Sequence, residues 1–172
     1  MKHKTEGRSR NVKSAPRSSR KKPEKKELTL WDQASRWYDS VVGSQGTDFQ
    51  KAIIMPGVLR LLDVAKKERV LDLACGQGVF SRYLSQKGVN VEGLDSSSEL
   101  LKYARTRSGS AIRYHVGDVA DAKNFKEDAF DGIACLMAIQ NIEKMDLLFK
   151  SACRWLKPVS YTHLTLPTIY AV

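Results

Sequence analysis

The chain has 172 residues, with 29 Lys or Arg against 19 Asp or Glu, a formal net charge of +10, and 42% of it is apolar, enough for one globular domain. Its longest unbroken apolar run, Ile133 to Ile139, is seven residues, against the roughly 20 that a spanning helix needs, so a transmembrane segment is excluded. No apolar stretch follows the N-terminal charges, and Cys75, Cys135 and Cys153 form neither a CxxC pair nor a metal-ligand spacing. The expectation is therefore a protein without secretory signal, metal or disulfide, with no membrane partner, in a reducing cytoplasm.

Residues 1–27 hold 11 Lys or Arg and three Glu, so this segment carries +8 of the net charge, and only Met1, Val12 and Ala15 in it are apolar. It cannot bury enough surface to offset the entropy of ordering, and it reads as a disordered basic arm. A solvated tail, an RNA- or DNA-binding arm, a nuclear-localisation-like run in Arg20 to Lys26 and a transit peptide compete for it. The last is disfavoured because an amphipathic helix needs apolar residues that the segment lacks.

Folded structure is expected from Leu28. Thr29-Leu-Trp-Asp32 has the spacing of a capping box, and Leu30, Trp31, Ala34, Trp37, Tyr38 and Val41 recur at helical intervals, leaving Asp32, Gln33, Arg36 and Asp39 on the other faces. Gly43 to Gly46 ends this helix. A second one starts at Thr47 and runs to Leu62, kinked or split by Pro56-Gly57; together they make up an N-terminal helical region, 29–64. From Arg69 strands and helices alternate. Strands are expected at Val70–Ala74, Val89–Leu94, Ile112–Val116 and Phe130–Ala138, the last apolar enough for the centre of a sheet. Helices are expected at Val79–Lys87, from a capping box at Ser96 to Glu99 through about Thr106, and at Lys144–Leu156. This alternation means an α/β fold with a mostly parallel sheet covered on both faces.

In such sheets ligands bind beyond the carboxyl ends of the strands. Gly76 and Gly78 follow the first strand, where absent side chains let a ligand approach the backbone and the next helix N-terminus. Asp95 follows the second, 19 positions after Gly76, placed to accept from both hydroxyls of a ribose. Asp118 follows the third, placed to accept from an exocyclic amine. Each has a plainer reading, turn chemistry for the glycines and helix capping for the acids, but three turns at one sheet edge agreeing on a nucleoside is the more economical account. The dinucleotide fingerprint G-x-G-x-x-G/A is missed at its third small position, Ser81.

VLDLACGQGVFSRYL, VEGLDSSSELLKYA, GDV, FDGIACLMAIQNI and LFKSACRWLKP, in that order, resemble the successive blocks of class I S-adenosylmethionine-dependent methyltransferases, of the small-molecule, type 11-like kind, over about residues 30–158. The resemblance implies a Rossmann-like three-layer sandwich with a nucleotide-binding core at 69–158. It implies that Asp72 and Gly76 edge the methionine part of S-adenosylmethionine, that Ala74 and Gly78 shape the loop, and that Asp95, with Ser96 beside it, holds the ribose. Asp118 and the Val119 amide would read the adenine, and Met137 would lie near the amino group and sulfonium. The helix with Trp31, Trp37, Tyr38 and Asp39 resembles the family's N-terminal lid, with Trp37 and Tyr38 closing over the site; an aromatic face that merely packs on the sheet edge is the alternative.

No catalytic base is assigned, since His115 lies within the third strand. The (Asp/Asn)-Pro-Pro-(Tyr/Phe) signature of amino-methylating nucleic-acid enzymes and a Pro-Cys nucleophile are both absent, where Met137 to Asn141 stands instead. After Pro158 the resemblance expects a glycine-containing turn and a further strand. Residues 159–172, opening VSYTHL, look instead like a translated library adapter, so a non-native tail and a sheet incomplete at the C-terminus are expected; a genuine strand, with Leu164 and Leu166 alternating with Thr, is the alternative. The expected activity is methyl transfer to a small-molecule acceptor, set against an NAD(P)-dependent oxidoreductase and a non-enzymatic RNA-binding adaptor using residues 1–27.

Overall fold

The computed structural model describes residues 28–158. The basic segment 1–27 and the tail 159–172, and with them the readings of a disordered arm and a non-native end, lie outside the described residues.

Helix α1 (Leu30–Val42) starts as its sequence predicts. The Thr29 hydroxyl accepts from the Asp32 amide at 3.0 Å and Asp32 Oδ2 accepts from the Thr29 amide at 2.9 Å, a reciprocal capping box. Its inner face is not the expected one. Asp32, Ser35 and Val42 are buried, whereas Leu30, Trp37 and Val41 are exposed. The reason is a polar docking onto α4 (Ser98–Ser108): Asp32 Oδ1 accepts from the Ser97 hydroxyl at 2.8 Å and from the Glu99 amide at 3.0 Å, and Arg107 grips both Asp39 oxygens at 2.6 and 2.8 Å. One carboxylate thus serves two helix N-termini, where the partial positive charge of unpaired amides favours it. Burial pushes the Asp32 pKa up, but the amides of Glu99 and Thr29 and the hydroxyls of Ser97 and Thr29 outweigh that and bring it down to about 2. The capping residue of α4 is Ser97 rather than Ser96, and Glu99 pairs with Lys102 instead of closing a box.

After Gly43 to Gly46 the second helical stretch contains a π-turn, Gln50–Ile54, leading into α2 (Met55–Leu62). The stretch is thus divided into two helix types at the proline: Pro56 sits in the first turn of α2, and the widened turn before it accommodates the ring.

The sheet contains β1 (Arg69–Leu73), β2 (Asn90–Asp95), β3 (Arg113–Val116) and β4 (Gly132–Cys135), all parallel, in the order β3-β2-β1-β4. Helix α3 (Val79–Gln86), with α2 and α4, covers one face, where Val70, Leu84, Val91, Leu101 and Tyr114 form one core. Helix α5 (Met145–Trp155) covers the other, where Leu71, Leu73, Leu94, Phe130 and Trp155 form a second. This is the expected three-layer α/β sandwich. Strand β4 corrects the sequence reading: it is four residues long rather than spanning Phe130–Ala138, and among the described residues it pairs with β1 alone, at the edge of the sheet. On its far side the chain returns after α5, with Leu156 bridging to Phe130 and the Lys157 amide donating to the Phe130 carbonyl at 3.0 Å.

Replacing Asp32 with Ala strips amides from two helix ends and should cost about 3 kcal/mol of stability. Because the Asp32 carboxyl is held near pH 2, its contribution is complete above the ordinary carboxylate pKa and lost as the pH falls through about 2. Denaturant melts should show the gap between wild type and Asp32→Ala closing as the pH is lowered from 6 toward 2; a constant gap would contradict this assignment.

Candidate functional site

The carboxyl ends of all four strands open onto one cavity of about 310 Å³. Its wall takes Ala74 and Gly76 from the turn after β1, Asp95 and Ser96 after β2, Asp118 and Val119 after β3, and Leu136, Met137 and Ala138 after β4. The crevice lies beside the β1–β4 pair, where the strand order reverses, which is where parallel sheets hold ligands. Trp31 and Tyr38 of α1 close one side, packed edge to face with centroids 5.5 Å apart. A smaller recess of about 40 Å³ shares Tyr38, Ala74, Leu136 and Met137 with it and is bounded by Asp72.

The turn after β1 is held by acids rather than built to hold an anion. Asp95 is buried, with Oδ2 accepting from the Gly76 amide at 2.7 Å and Oδ1 from the Ser97 amide at 2.8 Å. Burial raises its pKa against the pull of those amides, and the charge of Asp32 raises it further. The Ser96 amide adds to that pull, and the carboxylate retains acceptor capacity for a further donor. Asp72 is buried beneath the loop and accepts from the Ser81 hydroxyl at 2.6 Å. Burial, partly countered by Ser81 and reinforced by Asp95, pushes its pKa up to about 7. Among the described residues neither acid pairs with a basic side chain.

The two glycines do different work. At Gly76 (φ +54°) an added Cβ would meet only Tyr38, at 3.7 Å, so the position leaves open space over the cavity. At Gly78 (φ +76°) it would overlap the Tyr114 hydroxyl and come within 3.1 Å of Ala104, so close packing of the turn against α4 and β3 requires glycine there. Ser81, the residue that breaks the dinucleotide fingerprint, is the partner of Asp72.

Of the remaining sequence-predicted residues, Asp118 is exposed at the cavity edge, with Oδ1 accepting from the Ala120 amide at 2.9 Å, and Val119 is buried beside it. Ala74 and Met137 both adopt positive φ, +52° and +54°, at the ends of β1 and β4. Such backbone is sparsely populated by residues with side chains and clusters at ligand sites. The lid reading is corrected at one position: Tyr38 lines the cavity, but Trp37 is 63% exposed and does not, because it lies about 100° round α1 from Tyr38, toward solvent. His115 is remote too, bonded to Glu92 and edge-on to Phe125. Sequence reasoning missed Leu100, Asn141 and Lys144 in the wall. It also missed Gln77, buried in the glycine loop, whose amide nitrogen donates to the Gly43 carbonyl at 3.1 Å and whose oxygen accepts from Arg107. Gln77 is the middle letter of a tight turn, and nothing local marks it as the clasp between that turn and the end of α1.

A family profile described as a methyltransferase domain matches residues 70–159, more than half of the chain. The chain belongs to the class I S-adenosylmethionine-dependent methyltransferases. The methyltransferase domain is 28% identical over 128 residues to a ubiquinone biosynthesis O-methyltransferase of Xanthomonas oryzae pv. oryzae, covering 73% of this chain and 53% of that protein. It thus spans about half the length of such relatives. Among solved structures it resembles the PH0226 protein of Pyrococcus horikoshii (TM-score 0.63, 28% identity, 74% of this chain and 62% of that one). It also resembles an N-methyltransferase of Haemonchus contortus solved with phosphomonomethylethanolamine and S-adenosylhomocysteine (TM-score 0.62, 28% identity, 75% of this chain and 31% of that one).

Two outcomes follow for this methyltransferase domain. Gly78→Ala should lose about 2–4 kcal/mol of stability in denaturant melts, from combined backbone strain and overlap with Tyr114. The raised Asp72 pKa means that its contribution to stability is fully present below the ordinary carboxylate pKa and lost as the pH rises through about 7. Melting temperatures of Asp72→Asn should therefore gain on wild type between pH 5 and pH 8, and parallel curves would contradict the assignment.

Proposed function

We propose that the cavity binds S-adenosylmethionine and that the domain presents its methyl group to a small-molecule acceptor. The observation that carries this is the state of the turn after β1. The amide of Gly76 is taken by Asp95 and that of Gly78 by the Cys75 carbonyl at 2.9 Å, while two buried acids, Asp72 and Asp95, stand beside the turn. A pyrophosphate needs free amides and positive potential at this position, so a dinucleotide is disfavoured. A ligand with hydroxyl donors and cationic groups suits the same surroundings.

In this reading the remaining acceptor capacity of Asp95 serves the ribose hydroxyls, Ser96 stands beside them, and Asp118 with the Val119 amide reads the adenine edge. Asp72 borders the smaller recess with Ala74, where the methionine end fits, Gly76 lines the main cavity next to it, and Met137 stands at the junction of the two spaces. When bound, the cofactor supplies an electrophilic methyl group on sulfur, so the protein's task is alignment and exclusion of water. Trp31 and Tyr38 provide the second by covering the side of the cavity. No side chain is assigned as a base. The names of the relatives support a small-molecule acceptor, and the three free cysteines are consistent with a reducing compartment such as the cytoplasm.

Calorimetry with S-adenosylhomocysteine tests the assignment. Wild type should bind it and not NADH, and Asp95→Ala should weaken binding roughly tenfold to a hundredfold, the worth of hydrogen bonds to a charged acceptor. Equal affinity in the variant would overturn the ribose assignment.

A further inference from the structure

Helix α1 has three faces, and the roles described above use two. Asp32, Ser35 and Val42 are buried, and Trp31 and Tyr38 turn to the cavity. Leu30, Trp37 and Val41 fall on a third line, within about 40° of one another at 3.6 residues per turn, and are 82%, 63% and 57% exposed. Phe49 and Ile53 add an exposed apolar pair in the next helical stretch.

The charges around this stripe are one-sided. Both acids of α1 face inward, Asp32 to the start of α4 and Asp39 to Arg107. The polar residues left on the solvent side are Gln33, Arg36 and Ser40, which include one cation and no acid. The next acid along the chain, Asp48, is paired with Lys51 at 2.8 Å. The 27 residues that lead into the helix hold 11 Lys or Arg against three Glu.

An apolar stripe carrying a Trp, with no acid on the solvent side of its own helix and a strongly basic sequence leading into it, is the combination that adsorbs a helix to anionic lipid. We infer that the exposed stripe of α1 and the basic segment 1–27 together dock this domain on an anionic phospholipid surface. This inference does not depend on the cofactor assignment. It amends the expectation of no membrane partner without requiring a spanning segment; no helix among the described residues is long and apolar enough for one. RNA is the weaker fit, because it would engage the cations and leave Leu30 and Val41 uncovered. Docking by this face also lays Trp31, next to the stripe on the helix surface, and with it one side of the cavity, toward the lipid.

The full chain is to be sedimented with vesicles of phosphatidylcholine alone and with about 30% phosphatidylglycerol added, a surface charge that attracts polybasic segments. Binding should favour the anionic vesicles by at least roughly tenfold, and Leu30→Ser/Val41→Ser should lower it by about the same factor, because each signal alone is marginal. The double variant should keep its circular dichroism and its S-adenosylhomocysteine affinity. Tryptophan emission should be quenched by brominated acyl chains, and much less so in Trp37→Phe. No binding, equal binding to both vesicles, or salt-sensitive binding to vesicles or RNA that the double variant leaves unchanged would each overturn the inference. Loss of S-adenosylhomocysteine binding in the wild type would count against the proposed function alone.

Discussion

The geometry of the site depends on one buried carboxylate. Strands β1 and β2 pair in register up to Leu73 and Leu94, and one further backbone bond, from the Cys75 amide to the Leu94 carbonyl at 3.1 Å, closes the ladder. Past that point Asp95 ties the two turns together, taking the Gly76 amide with one oxygen and the Ser97 amide with the other. The tie continues outward: the Ser97 hydroxyl, which caps α4, donates to Asp32 of α1, and α1 carries the aromatic wall of the cavity. A chain of three side chains thus runs from the turn after β1 to Trp31 and Tyr38. Burying the Asp95 charge is unfavourable, as its raised pKa records, and the amides of Ser97, Gly76 and Ser96 offset only part of that.

The same burial sets the electrostatic character of the cavity. The charge of Asp95 raises the Asp72 pKa in addition to burial, and that of Asp32 does the same to Asp95; neither Asp72 nor Asp95 is neutralised by a Lys or Arg among the described residues. An anionic ligand would add to that repulsion. A ligand that brings hydroxyl donors and positive charge relieves it, and its binding should favour the ionised forms of both acids. The family's cofactor has these groups, so the electrostatics of the turn and the family membership point to one ligand class by separate routes.

The core was legible in the sequence because its signals are local. Short apolar strands, the glycine turn and the caps after each strand place Gly76, Asp95 and Asp118 around one cavity, as their positions after successive strands suggest. What was not legible is what distant residues decide. Ser96 and Ser97 are equally good caps by sequence, and Asp32, 65 positions away, selects the second. Gly78 reads as a ligand-facing glycine, but Tyr114 makes it a packing glycine. Strand β4 looks central because an apolar run says that a segment is covered, not what covers it. Within that apolar run stands Met137, whose left-handed backbone turns the chain out of the ladder and toward the cavity.

Helix α1 is the instructive failure. Periodicity assigns apolar residues inward and acids outward, and here both assignments are reversed for half of the helix. The reversal is stable because Asp32 gains more from two helix N-termini than it loses by leaving water, while Asp39 is gripped by Arg107. Turning those acids inward necessarily turns Leu30, Trp37 and Val41 outward, since positions at this spacing lie on the opposite half of the helix. Single exposed apolar residues are common and carry no message. An aligned row of three, stripped of neighbouring acids by the interaction that seats the helix, is a surface with a direction. The contact that fixes the aromatic wall over the cavity therefore also determines which way the apolar stripe points.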